Sequence, residues 1–264
     1  MTEQVLQRSD KGSIATLTLN APASLNALSD AMLAALKAEF GAVGADPLIR
    51  VVILKGAGKA FCAGHDLKEM QRARNAADKG KAYFADLFAR CTEVMQMIPT
   101  LPQPVIAEVH GIATAAGCQL VATCDMAIAA EGTRFGVNGV NIGLFCSTPM
   151  VALSRNIPRK FAMEMLTTGQ FIDAARAAEI GLINRAVPAQ DLSAETWALA
   201  EKVAHKLSAA VKIGKRAFYE QIEMTRAAAY DHAAAVMVEN MLWRDTDEGI
   251  NAFIEKRAPD WADR

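Results

Sequence analysis

At 264 residues and 52% hydrophobic, the chain can bury one large core, or a core plus a small appendage. Its net charge is −1 with both signs interspersed, so composition offers no case for a nucleic-acid or anionic-membrane partner. No apolar run approaches the roughly 18 residues of a membrane-spanning helix, and the first ten residues resemble neither a signal peptide nor an Arg/Ser-rich transit segment.

Ile14 to Leu19 reads as a strand, preceded by a turn at Asp10-Lys-Gly12 and paired with Val5 to Gln7. Ser29 suits the cap of a helix whose apolar positions Met32, Leu33, Leu36 and Phe40 follow helical spacing. Ile49 to Leu54 is apolar on both faces, as in a strand covered on each side. A small-residue loop follows, Lys55-Gly-Ala-Gly-Lys-Ala-Phe-Cys-Ala-Gly-His-Asp66, and opens a helix at Asp66, where N-capping is the expected role. A long helix over 80–98 is expected to stop at Pro99. The pattern then recurs, with a strand over Val105 to Val109, a second small-residue turn at 110–117, a helix over 117–123 and a strand over 125–130.

A short strand near Phe135 leads to a loop, Gly139–Ser147, and helices begin near Thr148, Arg159 and Asp173 before a strand over Ile183 to Val187. Beyond Asp191 the pattern is helical throughout, with Trp197, Ala200, Ala204 and Leu207 on one apolar face. Strand-then-helix units and a helical tail define an α/β class: a core over 1–205 and a C-terminal helical segment over 206–264, apolar enough to pack on another subunit.

Several motifs fail on inspection. Gly56-Ala-Gly58 begins like a dinucleotide fingerprint, but Phe61 stands where the third glycine belongs, and Gly58-Lys59 lacks the upstream glycine of a P-loop. The four histidines are isolated, without zinc spacing, and Cys146-Ser147 has no evident base partner. Cysteines 62, 91, 118, 124 and 146 lie in apolar segments without ligand spacing, which predicts buried thiols, no metal, and a reducing, cytoplasmic setting. Two strand–turn–helix units remain. Turns of this kind aim free backbone N–H groups at one point, which suits an oxygen that becomes anionic during a reaction. Tight packing alone explains two Gly/Ala turns equally well, and both readings stand at this point.

Phe61-Cys-Ala-Gly-His-Asp-Leu-Lys-Glu-Met70 and Pro104-Val-Ile-Ala-Glu-Val-His-Gly-Ile-Ala-Thr-Ala-Ala-Gly-Cys-Gln-Leu120 resemble the two signatures of the crotonase (enoyl-CoA hydratase/isomerase) superfamily. The resemblance extends through Asn26-Ala-Leu28, Ala178-Glu-Ile-Gly-Leu-Ile183 and Gly249 to Arg257, nearly the whole chain. It implies a crotonase-type spiral of ββα units whose C-terminal helices form homotrimers, often paired as hexamers. The implied ligand is an acyl-CoA thioester, with coenzyme A entering as part of the substrate and no cofactor permanently bound. By motif position, the N–H groups of His65 and Ala116 would hold the thioester oxygen as it becomes an enolate. Leu25, Ala63, His65, Asp66, Leu67, Lys68 and Ala116 would line the pantetheine path with Phe145. Phe253 and Lys256 of a neighbouring subunit would meet the nucleotide.

The sequence departs from the superfamily at its two hydratase glutamates, where Gln119 and Gly139 stand. Neither carries a proton near neutral pH, and general acid–base groups are worth about 10²- to 10⁴-fold. Three functions follow: nominal enoyl-CoA hydration; another enolate reaction such as decarboxylation of a malonyl-type CoA; or acyl-CoA binding without turnover. For decarboxylation, Cys146 replaces the expected loop tyrosine. Asn138, Asn141 and Cys146 are candidates for orienting a water or a carboxylate. Installing glutamates at 119 and 139 together is expected to raise hydration.

Overall fold

The computed structural model describes residues 4–262. Strands β1 (Leu6–Lys11) and β2 (Ile14–Leu19) form an antiparallel hairpin turning at 12–13, with Gly12 at φ +60°. The turn lies later than expected because Asp10 and Lys11 pair with Ala15 and Ile14. Helix α1 (Asp30–Ala45) starts where Ser29 Oγ accepts a hydrogen bond from the Met32 N–H at 3.2 Å. That start sets Met32, Leu33, Leu36 and Phe40 on the buried face.

Strand β3 (Val51–Gly56) leads to α2 (Leu67–Ala73) and α3 (Lys81–Thr100). Pro99 does not end α3 as expected. It sits in the last turn, where its missing N–H removes a single bond, and the Thr100 hydroxyl donates to the Gln96 and Met97 carbonyls, both at 3.0 Å. Next come β4 (Val105–Val109), β5 (Ile112–Thr114), α4 (Ala116–Thr123), β6 (Met126–Ala130) and β7 (Arg134–Gly136). Helices α5 (Pro149–Asn156) and α6 (Arg159–Thr168) precede β8 (Ile172–Asp173), α7 (Ala174–Glu179), β9 (Arg185–Val187) and α8 (Leu192–Ala204). The chain closes with α9 (Ser208–Gln221), α10 (Arg226–Met241) and α11 (Arg244–Glu255).

The main sheet has the order β1-β2-β3-β4-β6-β9, parallel except for the first pair; a smaller sheet has the order β5-β7-β8. Period-two alternation explains the apolar runs. Val52, Leu54, Val105, Ala107 and Val109 face the large core beneath α1 and α3, while Val51, Ile53 and Ile106 face Ala200 and Ala204 of α8. Covered on both faces, the parallel strands hold rigid the loops that leave β3 and β4.

The tail divides in character. Helix α9 is anchored by buried Lys215, whereas α10 buries no residue and exposes Tyr230, Met237 and Val238. Phe253 and Ile254 of α11 are 85% and 70% exposed. No helix among the described residues is long and apolar enough to cross a membrane.

Candidate functional site

The two small-residue loops are stitched together. The Phe61 N–H donates to the His110 carbonyl at 3.0 Å, the Cys62 N–H to the Ile112 carbonyl at 3.1 Å, and the Thr114 N–H to the Cys62 carbonyl at 3.0 Å. Two glycines allow the approach. A methyl at Gly64, where φ is +87°, would lie 3.0 Å from the Ala115 Cβ and 3.2 Å from the Ala116 N; at Gly117 it would overlap the Cys62 carbonyl. Fully buried Asn26 shapes the first loop. Its amide donates to the Ala57 and Ala60 carbonyls, both at 2.8 Å, and its oxygen accepts from the Ala21 N–H at 2.9 Å. The Ala63 N–H donates to the Leu25 carbonyl at 3.0 Å and the Leu28 N–H to the Gly64 carbonyl at 2.7 Å, which brings Leu25 beside the loop.

Ala115 turns the chain into α4 at φ 50°, ψ −120°, a strained conformation for a residue with a Cβ. Ala116 then occupies the first helical position, where the N–H has no intrahelical acceptor. Among the described residues, neither the Ala116 nor the His65 N–H has an acceptor. Asp66 behaves as a cap: its Oδ1 accepts from the Lys68 N–H at 2.8 Å and the Glu69 N–H at 3.2 Å. Leu67 is exposed, as is Phe145 in the later loop, while Lys68 projects from the first turn of α2. The structure thus brings Leu25, Ala63, His65 and Ala116 together. Phe253 and Lys256 stand apart from this group, at the end of α11 on the tail.

The His65 ring packs edge-on to Phe88 of α3, with centroids 5.6 Å apart, and neither buried ring nitrogen has a hydrogen-bond partner. Burial pulls its pKa below the usual 6.5; the Leu28 carbonyl opposes this and the Arg90 charge adds to it. The unfolded chain therefore takes up a proton below about pH 6.5 that the folded chain resists, so stability is fully present above that pH and falls beneath it. Urea unfolding between about pH 7.5 and about pH 5.5 is expected to show a smaller stability loss for His65→Gln than for the wild type. Equal losses would place the acid sensitivity elsewhere.

Gln119 is buried in α4, and its Oε1 has no partner. The residues suggested for orienting a water or carboxylate are already engaged. Asn138 Oδ1 accepts from the Thr114 hydroxyl at 2.7 Å, and the Asn141 amide donates to the Gly169 carbonyl at 3.3 Å. Burial pushes the Cys146 thiol up, away from a nucleophilic thiolate, and the nearby Gly139 N–H opposes this only in part. Gly139 has no room for a side chain: a Cβ would overlap the Leu144 carbonyl oxygen and approach Cys146 Sγ to 2.8 Å. The Leu144 N–H in turn donates to the Gly139 carbonyl at 3.0 Å, which closes that turn. Gly139→Ala is therefore expected to destabilise by about 1–3 kcal/mol in chemical denaturation. For the same reason, a glutamate at 139 is expected to press on this turn as well as add a carboxylate.

Some other polar groups have plain structural partners. His110 Nε2 meets the Gly58 carbonyl at 2.9 Å, and His232 Nε2 lies 3.1 Å from Glu220 Oε2 without forming a hydrogen bond. All five cysteines are free and buried, and among the described residues no cluster of three metal-capable side chains forms.

Comparison with known proteins decides the family, because residues 9–264 match the model for enoyl-CoA hydratase/isomerase proteins. The chain belongs to the enoyl-CoA hydratase/isomerase family. It is 45% identical over 248 residues to the mitochondrial enoyl-CoA hydratase domain-containing protein 3 of Xenopus laevis, covering 94% of this chain and 83% of that protein. Among solved structures, an enoyl-CoA hydratase of Mycobacterium smegmatis aligns with a TM-score of 0.94 at 53% identity, covering 98% of this chain and 99% of that one. Human enoyl-CoA hydratase domain-containing protein 3 aligns with a TM-score of 0.93 at 42% identity, covering 97% and 100%. The architecture is the crotonase α/β fold, with α9–α11 as its C-terminal helices. The family acts on acyl-CoA thioesters, with coenzyme A carried in by the substrate.

Proposed function

We propose that this protein binds an acyl-CoA thioester and stabilises its enolate between the N–H groups of His65 and Ala116. The observation that carries the proposal is the pair of acceptor-free N–H groups on loops locked together through Gly64 and Gly117. Charge on the thioester oxygen grows as the enolate forms, so such donors stabilise the transition state more than the ground state, by about 2.7–4 kcal/mol each. Ala63, Asp66, Leu67, Lys68, Leu25 and Phe145 form the path for pantetheine. Phe253 and Lys256 of a second copy reach the nucleotide, and the exposed apolar faces of α10 and α11 support a homotrimer, alone or doubled into a hexamer. A reducing cytoplasm is the proposed compartment, supported by the free buried thiols.

With Gln119 and Gly139 at the family's glutamate positions, alkene hydration lacks its proton-transfer groups. Decarboxylation of a malonyl-type CoA is favoured by the same feature, since no carboxylate at 119 or 139 repels the substrate's own. In that reaction the C–C bond to the carboxylate breaks, CO2 leaves, and the electron pair passes to the thioester oxygen. The test is incubation with enoyl-, malonyl- and methylmalonyl-CoA read by mass spectrometry, with binding measured in parallel. Saturable CoA-ester binding is expected, with hydration at least about 10²-fold below the ~10 s⁻¹ of an ordinary enzyme. Absent CoA-ester binding would overturn the proposal. Fast hydration would overturn the role given to residues 119 and 139, and unchanged malonyl-type esters would remove decarboxylation.

A further inference from the structure

We infer that the imidazole of His65 is a catalytic residue that removes and returns the proton at C2 of the bound acyl group. This rests on the acyl-CoA reading above and assigns the side chain a role separate from its backbone N–H. In the step, the C2–H bond breaks and its proton passes to the free ring nitrogen. The electron pair moves into the C2–C1 bond and onto the thioester oxygen held by the two N–H groups. Reversal returns a proton to C2, and no other reactant is needed.

Three observations converge on the ring. First, a neutral imidazole has one donor and one acceptor; here neither buried nitrogen makes a well-formed hydrogen bond, and with the Leu28 carbonyl close enough to attract a ring N–H, the acceptor nitrogen has no donor. Buried polar groups are normally satisfied, so this ring, on the residue that carries one of the two acceptor-free backbone N–H groups, has capacity open to a bound group. Second, Gln119 Oε1 is likewise unpartnered in a side chain only 4% exposed, one helical turn beyond the Ala115–Ala116 contact with Gly64. The vacant hydrogen-bonding capacity therefore belongs to both stitched loops.

Third, titratable groups on the neighbouring loop, on α2 and on α3, which packs against the ring, are occupied. Arg90 of α3 pairs with Asp30 at 2.7 Å and Asp86 at 2.6 Å, and Asp30 also accepts from the Tyr83 hydroxyl at 3.2 Å. Glu69 accepts from the Asp30 N–H at 2.9 Å, and Asp66 caps α2. The buried thiols of Cys62 and Cys91 are pushed up to about 12, beyond service as bases near neutral pH. The imidazole, kept neutral by burial and without a carboxylate partner, is the group left able to accept a proton.

The test is hydrogen exchange in D2O with butyryl-CoA and phenylacetyl-CoA, read by mass spectrometry as deuterium entering C2. Wild-type exchange is expected to rise with pH through a range below 6.5 and then level off. His65→Gln keeps the backbone N–H, so at saturating CoA ester exchange should fall by about 10²-fold or more, whatever the change in affinity. Added imidazole should partly restore exchange to His65→Ala, a rescue that a purely structural role would not produce. Wild-type exchange rates in His65→Gln, or no exchange by a wild type that binds the esters, would overturn the inference. Failure to bind CoA esters at all would instead overturn the acyl-CoA reading, and the inference with it.

Discussion

Gly117→Ala is expected to lower stability by about 3 kcal/mol and to abolish acyl-CoA processing, although alanine is the better helix former by ~1 kcal/mol. The new methyl would overlap the Cys62 carbonyl oxygen and lie 2.9 Å from the Cys62 Cβ. Backbone cannot swing aside as a flexible side chain can, so the 61–65 loop must retreat from α4. That retreat strains the Cys62–Ile112 and Thr114–Cys62 hydrogen bonds, each worth about 1 kcal/mol, on top of ~1–3 kcal/mol for overpacking. It also moves the His65 N–H away from the Ala116 N–H, and losing one oxyanion donor alone is worth about 10²- to 10³-fold in rate. Gly41→Ala is the control: a Cβ there meets nothing, so a gain of up to about 1 kcal/mol is expected. Urea unfolding and CoA-ester turnover of both variants check the pair. A stable, active Gly117→Ala would show that the loops need not touch.

Lys215→Met should produce a loss of comparable size by a different route. The Lys215 ammonium is buried in α9, and its three donors go to the Ile98 carbonyl at 2.8 Å, the Gln103 carbonyl at 2.9 Å and Asp125 Oδ2 at 2.6 Å. Asp125 also accepts from the Tyr219 hydroxyl at 2.8 Å and the Val105 N–H at 2.6 Å. Methionine fills much of the space but supplies no donor, leaving a carboxylate and two carbonyls under-satisfied. Breaking a buried pair from one side costs about 3–5 kcal/mol, roughly 10 °C in melting temperature for a chain of this size. The network holds the start of β4 and the approach to β6 behind the site, so its loss should also loosen the 110–116 turn. A change below about 1 kcal/mol would mean that the ion pair contributes little to holding α9 against the core.

What the sequence showed, and what it hid, divides by range. Local rules sufficed for Ser29 and Asp66 as caps and for β4 at its observed bounds, because capping and period-two alternation act within a few residues. β5 escaped notice because three residues are too short to alternate visibly. Nothing in the sequence singles out Lys215, since its partners lie 90 to 117 residues away in the chain. Asn26 stands within a motif, but its role as the clamp on loop 57–60 depends on a turn folding over it. At Gly139 the resemblance implies a missing carboxylate; the structure adds that Leu144 and Cys146 close the space. The resemblance implies a role for the His65 backbone, while the unmet nitrogens of its ring become visible only once α3 packs against it.

The central claim is that the His65 and Ala116 N–H groups polarise a bound thioester. Isotope-edited infrared spectroscopy of an acyl-CoA labelled with carbon-13 at its carbonyl measures that polarisation directly. The account predicts that the labelled carbonyl stretch moves to lower frequency on binding, as two donors draw charge onto the oxygen. A bound ester whose carbonyl absorbs where it does in free solution would contradict it.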